Sequence, residues 1–194
     1  METSDSVSDF ATADRVIVLV DLAGYSKAFQ AHGDLAMAAF TQQYYDACVR
    51  ALTGHGGTVV KFIGDACLAT FAPDAAAAAV QAVAELQAAV AALAARAGVP
   101  VGLGANLHKA AVVEGVFGTG AHRRPDIIGR GVNQTFLLGG GNGVRISEPV
   151  YRALPSAARG PWRKHKPPAV YHLERGDGIL AGAGKDAATN AARW

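Results

Sequence analysis

Apolar positions in this chain fall into strand-length runs separated by stripes at helical spacing. Residues 15–20 (RVIVLV) form a continuous, β-branched run that predicts a buried central strand ending at Asp21. From Asp34 to about Leu52, apolar residues recur at Leu35, Met37, Ala39, Phe40, Tyr44, Cys48, Val49 and Leu52, the pattern of a long helix, with Asp34 as its cap. Glycines at 54–57 stop that helix. Residues 58–63 and 66–71 then read as two strands joined by the Gly64-Asp65 turn. Pro73-Asp74 opens an alanine-rich helix that Gly98 and Pro100 close. Two further strands, 101–107 and 110–117, are expected on either side of His108-Lys109, followed by a basic loop at 118–124 and a short strand at 126–129. Residues 134–138 read as a short helix or extended turn, and 139–143 (GGGNG) as a loop. Residues 144–146 form a strand and 148–154 a helix capped by Ser147. Residues 162–166 make a basic patch, and 169–173 alternate as an edge strand.

This order predicts an α/β (α+β) sandwich, a mixed, mostly antiparallel sheet flanked by helices rather than a doubly wound parallel sheet. The boundaries expected are a polar, disordered arm at 1–14, one domain at 15–174, and a flexible Gly- and Ala-rich tail at 175–194. No internal repeat, Walker loop, GxGxxG after the first strand or GxSxG elbow is present.

With 51% hydrophobic residues in 194, the chain can build a core without disulfides, so Cys48 and Cys67 read as small buried hydrophobes of a reducing compartment. A net charge of +2 argues against nucleic acid or an anionic membrane as partner. Gln81, Glu85, Gln87 and Arg96 interrupt the alanine run, which therefore reads as a surface helix and not a membrane span. The expectation is a soluble, cytoplasmic protein.

Candidate chemistry sits at strand ends. Asp21 leads through Leu22-Ala23-Gly24-Tyr25-Ser26 into a helix, a place where free amides and the helix dipole suit a phosphate; the plainer role is a helix cap. Asp65 stands at the tip of an otherwise apolar hairpin, with Lys61 four residues earlier. A rigid turn suits a metal-ligating carboxylate, and it equally suits a simple turn-former. Two aspartates at neighbouring strand ends are what a pair of divalent cations requires.

Four segments in order, VLVDLAGYSKAF, GGTVVKFIGDACLATF, ANLHKAAVVEGVFG and PDIIGRGVNQT, resemble the catalytic domain of class III nucleotidyl cyclases, the adenylate/guanylate cyclase family, over residues 15 to about 173. The resemblance implies that family's ferredoxin-like catalytic core. It also implies a homodimer with active sites at the subunit interface, and conversion of a nucleoside triphosphate to its 3′,5′-cyclic monophosphate and pyrophosphate with two Mg²⁺ or Mn²⁺ ions. Asp21 and Asp65 then match the metal-binding aspartates, the Leu22 carbonyl a further metal contact, and the amides of Ala23, Gly24, Tyr25 and Ser26 the phosphate turn. Lys61 and Asp126 match the base-recognition pair, in the combination that accompanies adenine. Asn133 matches the residue that orients the ribose, and Lys164 or Lys166 the C-terminal phosphate-binding lysine.

The sequence departs from the family at two arginines. Leu137 stands where one reaches the α-phosphate, and Gly104 aligns with another; Arg123, Arg124 or Arg130 are the replacements nearest in sequence, Arg130 first. His108 reads as structural. The resemblance favours ATP as substrate. Its alternatives are a pyrimidine cyclase of the bacterial antiphage kind, making cCMP or cUMP, and a nucleotide-binding or dimerisation module with weakened turnover. With no sensor or anchor ahead of residue 15, regulation is expected from a separate protein, from assembly or from substrate supply, and a separate effector would read the product.

Overall fold

The computed structural model describes residues 10–165 and 170–173. Its spine is an antiparallel pair of long strands, β1 (Phe10–Ala23) and β4 (Gly102–Phe117), in register from Phe10↔Gly115 to Ala23↔Gly102. Alternation sorts their side chains onto two faces. Val16, Val18, Val20 and Leu22 of β1, with Leu103, Ala105 and Leu107 of β4, enter the main core. Ile17 and Leu19 turn the other way, into a smaller cluster with Val112, Ile127 and Val132, and Asp21 continues that second face.

The hairpin of β2 (Thr58–Ile63) and β3 (Ala66–Phe71) joins β1 through β3. On the other side of β4, β6 (Gly143–Ser147) runs parallel to residues 104–107, then β8 (Val170–Leu173), then β7 (Trp162–His165), while β5 (Arg124–Ile128) pairs with residues 113–117. The result is a mixed eight-stranded sheet of order β2-β3-β1-β4-β6-β8-β7, with β5 beside β4.

Two long helices, α2 (Asp34–Gly54) and α3 (Ala76–Ala97), pack together over the main-core face. Alanines 76, 79 and 82 let α3 lie close, and Leu86, Val90 and Leu93 fill the space further along. Each such large side chain, once buried, contributes roughly 1.5–3 kcal/mol. By length and composition α3 is the one described helix apolar enough to cross a membrane, yet its apolar stripe is occupied by this core. Shorter helices α1 (Tyr25–His32) and α5 (Glu148–Ala153) flank it, whereas α4 (Arg130–Phe136) covers the second face through Val132.

Several boundaries differ from those expected. β1 begins at Phe10, not Arg15, because the far half of β4 gives residues 10–14 a partner and Phe10 a ring contact with Phe117 at 4.9 Å. The rest of the expected N-terminal arm and the C-terminal tail lie outside the described residues. Residues 101–107 and 110–117 are one strand, since β1 pairs straight through His108 and Lys109. β8 is interior, and the segment read as a basic patch supplies the edge strand β7. Asp34 is the first helical residue behind a Gly33 N-cap, and Ser147 is an N-cap whose buried hydroxyl makes no cap bond. Cys48 and Cys67 are buried free thiols; their mutual hydrogen bond and burial push the Cys67 thiol up.

A chain beginning at Arg15 should be less stable than one beginning at Phe10 by roughly 1–3 kcal/mol, a few tenths for each cross-strand pair lost. Urea denaturation of the two chains measures this. Equal midpoints would show that the extension adds nothing to the fold.

Candidate active site

Asp21 and Asp65 are brought together by register. Val20 pairs with Cys67, so the next residue of β1 stands level with the start of β3 and with the turn just before it. Gly64 takes φ 59°, the left-handed conformation this tight turn requires. The Asp65 carboxylate accepts from its own amide and from that of Leu22, tying the turn to the end of β1. Tyr45 of α2 braces the turn from outside, donating to the Gly64 carbonyl and stacking on Phe62 with ring centroids 3.9 Å apart.

Both carboxyls are held above the usual carboxylate range. Burial is the larger cause for Asp21, followed by the charge of Asp65, with Arg145 pulling the other way; for Asp65 burial outweighs its two backbone hydrogen bonds. Two half-buried carboxylates that repel each other fit a divalent cation. Among the described residues no group of three or more His, Cys, Asp or Glu side chains converges. The donor set therefore fits an ion shared with phosphate oxygens, not one caged by protein alone. Beneath Asp21 the sheet is bare: a Cβ at Gly104 would overlap Asp21 Oδ1 and fall 2.6 Å from the Gly141 carbonyl oxygen.

The chain then turns through Gly24, at φ 91°, into α1. Helix α1 has no side-chain cap, so Asp21 is not its cap and the first-turn amides after Gly24 have no side-chain acceptor. The Tyr25 hydroxyl lies 2.8 Å from that of Thr41 and fixes α1 on α2.

The predicted base-reading pair also meets, between β2 and β5. Lys61 Nζ donates to Asp126 Oδ2 at 2.6 Å, and Asp126 Oδ1 accepts from the Ile127 amide at 2.7 Å. In strand order β2 and β5 are far apart, so this contact requires the β1–β4 ribbon to curl across the second face and carry β5 with it. Beside the pair lies a recess of about 240 Å³ with an apolar lining that includes Ile63, Leu68, Ile127 and Val132, and Asn133 of α4 opens onto it.

No protein-family model matches this chain, and no curated protein does. Solved structures do. The adenylyl cyclase CyaB from P. aeruginosa superposes with a TM-score of 0.77 at 18% identity, over 89% of this chain and 100% of that one. The guanylyl cyclase Cya2 gives 0.76 at 21% identity, over 87% and 96%. A bacterial light-regulated adenylyl cyclase gives 0.75 at 18%, with 88% of this chain covering 54% of that longer one. The fold is that of the class III nucleotidyl cyclase catalytic domain.

In this cyclase fold the remaining predicted residues scatter. Leu137 is 78% exposed at the end of α4, so no charge enters from there. Arg130 is exposed at the first position of α4, and Arg124, exposed at the start of β5, bonds the carbonyls of Ala121 and Arg123. Lys164 pairs with Tyr171, a main-core residue, and its charge is felt by Glu148 of α5; it is on the helix-bearing face, opposite Asp21. Lys166 lies outside the described residues. His108 is in mid-strand rather than at a strand end, with Nε2 3.0 Å from Gln134 Oε1, and burial lowers its pKa, which suits a structural role.

One charged residue was missed by sequence reasoning. Arg145, between buried Val144 and Ile146 on β6, must point to the Asp21 face, and its charge reaches Asp21. Its guanidinium donates to the carbonyls of Gly140, at 2.5 Å, and Gly141, at 3.2 Å. Only its strand alternation, a lone cation flanked by two aliphatics, could have flagged it.

Because the folded-state pKa values are raised, the native protein holds protons that the unfolded chain has released. These carboxyls therefore cost stability as pH climbs from the ordinary carboxylate range through their raised values. Asp65→Asn should reduce that loss and bring the Asp21 pKa down. Carboxyl-carbon NMR titration reads this directly, and an unmoved Asp21 midpoint would place the two groups too far apart to share an ion.

Proposed function

We propose that this protein is a nucleotidyl cyclase that converts a nucleoside triphosphate, with ATP favoured, to its 3′,5′-cyclic monophosphate and pyrophosphate. The observation that carries this is the pairing of Asp21 with Asp65 at adjacent strand ends of a class III cyclase fold. In the reaction the 3′-oxygen bonds to the α-phosphorus, the bond from that phosphorus to the bridging oxygen breaks, pyrophosphate leaves with the electron pair, and the hydroxyl proton is lost to solvent. Mg²⁺ or Mn²⁺ ions held by Asp21, Asp65 and the Leu22 carbonyl would supply Lewis-acid activation of the hydroxyl and neutralise the leaving group.

The chain's own side chains bind and orient. The Asp65 carboxylate keeps its place through the Leu22 amide, so the turn needs little reorganisation when substrate arrives. Lys61 and Asp126, already in contact, present a donor beside an acceptor, which complements the adjacent ring nitrogen and amino group of adenine. The recess beside them offers apolar walls to a base, and Asn133, which lines it, would orient the ribose. Ile128 and Phe136 are half exposed around that recess, and Leu137, next to Phe136 in sequence, is more so, an apolar margin that a second copy of the chain would cover in a homodimer.

Turnover of ATP, GTP, CTP and UTP by the purified protein in Mn²⁺, with products resolved by mass, tests the reading. ATP should give cyclic AMP, and Asp65→Ala should lower the rate by about a hundredfold or more. Preference for CTP or UTP would overturn the base assignment and leave the metal site standing. No product from any of the four would leave a nucleotide-binding module. Lys61→Ala should cut discrimination between ATP and GTP by about tenfold or more, since the pair can then no longer read the base edge; unchanged kcat/KM ratios would remove Lys61 from base recognition.

A further inference from the structure

The proposed cyclase site has a charge problem. A triphosphate and two carboxylates bring more negative charge than two divalent cations cancel, so the protein must add positive charge beside Asp21. On β4 the neighbouring position is Gly104, where even a Cβ would strike the Asp21 carboxylate. The next strand supplies what β4 cannot. In register, Leu19 faces Asn106, Asn106 faces Arg145, and Arg145 faces His172, one row across the second face of the sheet. Arg145 is thus the half-buried cation of the strand adjoining Gly104, whereas Arg123, Arg124 and Arg130 are exposed.

We propose that Arg145 contacts the phosphate chain of the bound nucleotide beside Asp21, taking the place of the arginines that Leu137 and Gly104 do not provide. This rests on the cyclase reading and deepens it.

The surroundings suit such a contact. The guanidinium is presented by a loop of glycines: Gly139 takes φ 131°, which L side chains rarely adopt, and a Cβ there would press to 3.0 Å from Arg145 Cδ and Nε. Asn106 Nδ2 donates to the Gly139 carbonyl at 2.8 Å and pins the start of that loop. The side chain is therefore pre-set while it holds only neutral carbonyl acceptors and the field of Asp21. A carboxylate that is given up to a metal ion leaves Arg145 short of a counter-charge, and a phosphate oxygen restores it. The burial that lowers the Arg145 pKa is opposed by Asp21, in keeping with a charge held in place by its acidic neighbour.

The test uses the full chain and two variants, Arg145→Gln and Arg145→Lys. Affinity is measured for a non-cyclisable α,β-methylene triphosphate and for the unphosphorylated nucleoside, alongside kcat/KM and melting temperature. Arg145→Gln should weaken the triphosphate by about tenfold or more, as expected for a lost charge-assisted contact, and leave the nucleoside unchanged. Arg145→Lys should recover part of the loss. Equal weakening of both ligands, or of neither, would make Arg145 a clamp for the glycine loop and overturn the proposal. Should Arg145→Gln fail to fold, the Nε resonance of Arg145 in the unaltered protein answers instead: it should shift when pyrophosphate is added with Mg²⁺, and an unmoved signal overturns the proposal. Cyclic product formed by the parent and undiminished in Arg145→Gln would sink Arg145 while sparing the cyclase reading. Triphosphate binding that depends on Arg145 without any cyclic product would do the reverse.

Discussion

The register of β1 against β4 is the constraint on which the rest depends. Because side chains alternate along paired strands, one choice of register assigns Val16, Val18, Val20 and Leu22 to the helices and Ile17, Leu19 and Asp21 to the other side. A slip of one residue would bury Asp21 under α2 and α3 and expose the valines. Hydrophobic burial on the helical side thus fixes where the carboxylate emerges. The same pair, by its length, carries β5 across the face to meet β2 and so places Asp126 against Lys61. One ribbon positions both halves of the candidate site.

The site stores its cost locally. Burial and the charge of Asp65 make Asp21 harder to ionise, burial alone does so for Asp65, the glycine at 104 leaves no side chain to shield them, and Arg145 only partly offsets the charge at Asp21. Buried like charges of this kind reduce stability in the resting protein, and they persist because the core around α2 and α3 supplies stability independently. Lys61 and Asp126 show the contrasting design. Their charges cancel in the resting state, so on the proposed reading a base would have to compete with an existing ion pair, and specificity would come from which base edge replaces both contacts at once.

Much of this architecture is legible in the amino-acid sequence. The hairpin, both long helices and the apolar stretch of β1 that leads to Asp21 follow from period and turn chemistry, because each is a local pattern with a strong apolar signal; the strand itself runs two residues past Asp21, to Ala23. What is not legible depends on partners distant in sequence. Residues 10–14 (FATAD) have no apolar face of their own, and only the far half of β4 makes them a strand. His108 and Lys109 look like a break between strands because they are polar, whereas pairing with Ile17 and Val16 carries the strand through them. β8 reads as an edge strand because nothing in its four residues announces that β7 will pair outside it. The same limit hides Arg145, whose meaning comes from β4 and β6 lying side by side.

A charged group aimed at phosphate need not come from a fixed position along the chain; it need only come from the correct face of the sheet, within reach of the carboxylates. β6 is parallel to β4 and in register with it, so a residue facing away from the core on β6 reaches the same region as one on β4. Once Gly104 is bare, the carboxylate of Asp21 can settle over it, and a side chain there is excluded by contact. A side chain at 104 and the present place of the Asp21 carboxylate exclude one another: an arginine there would have to displace both that carboxylate and the Gly141 carbonyl.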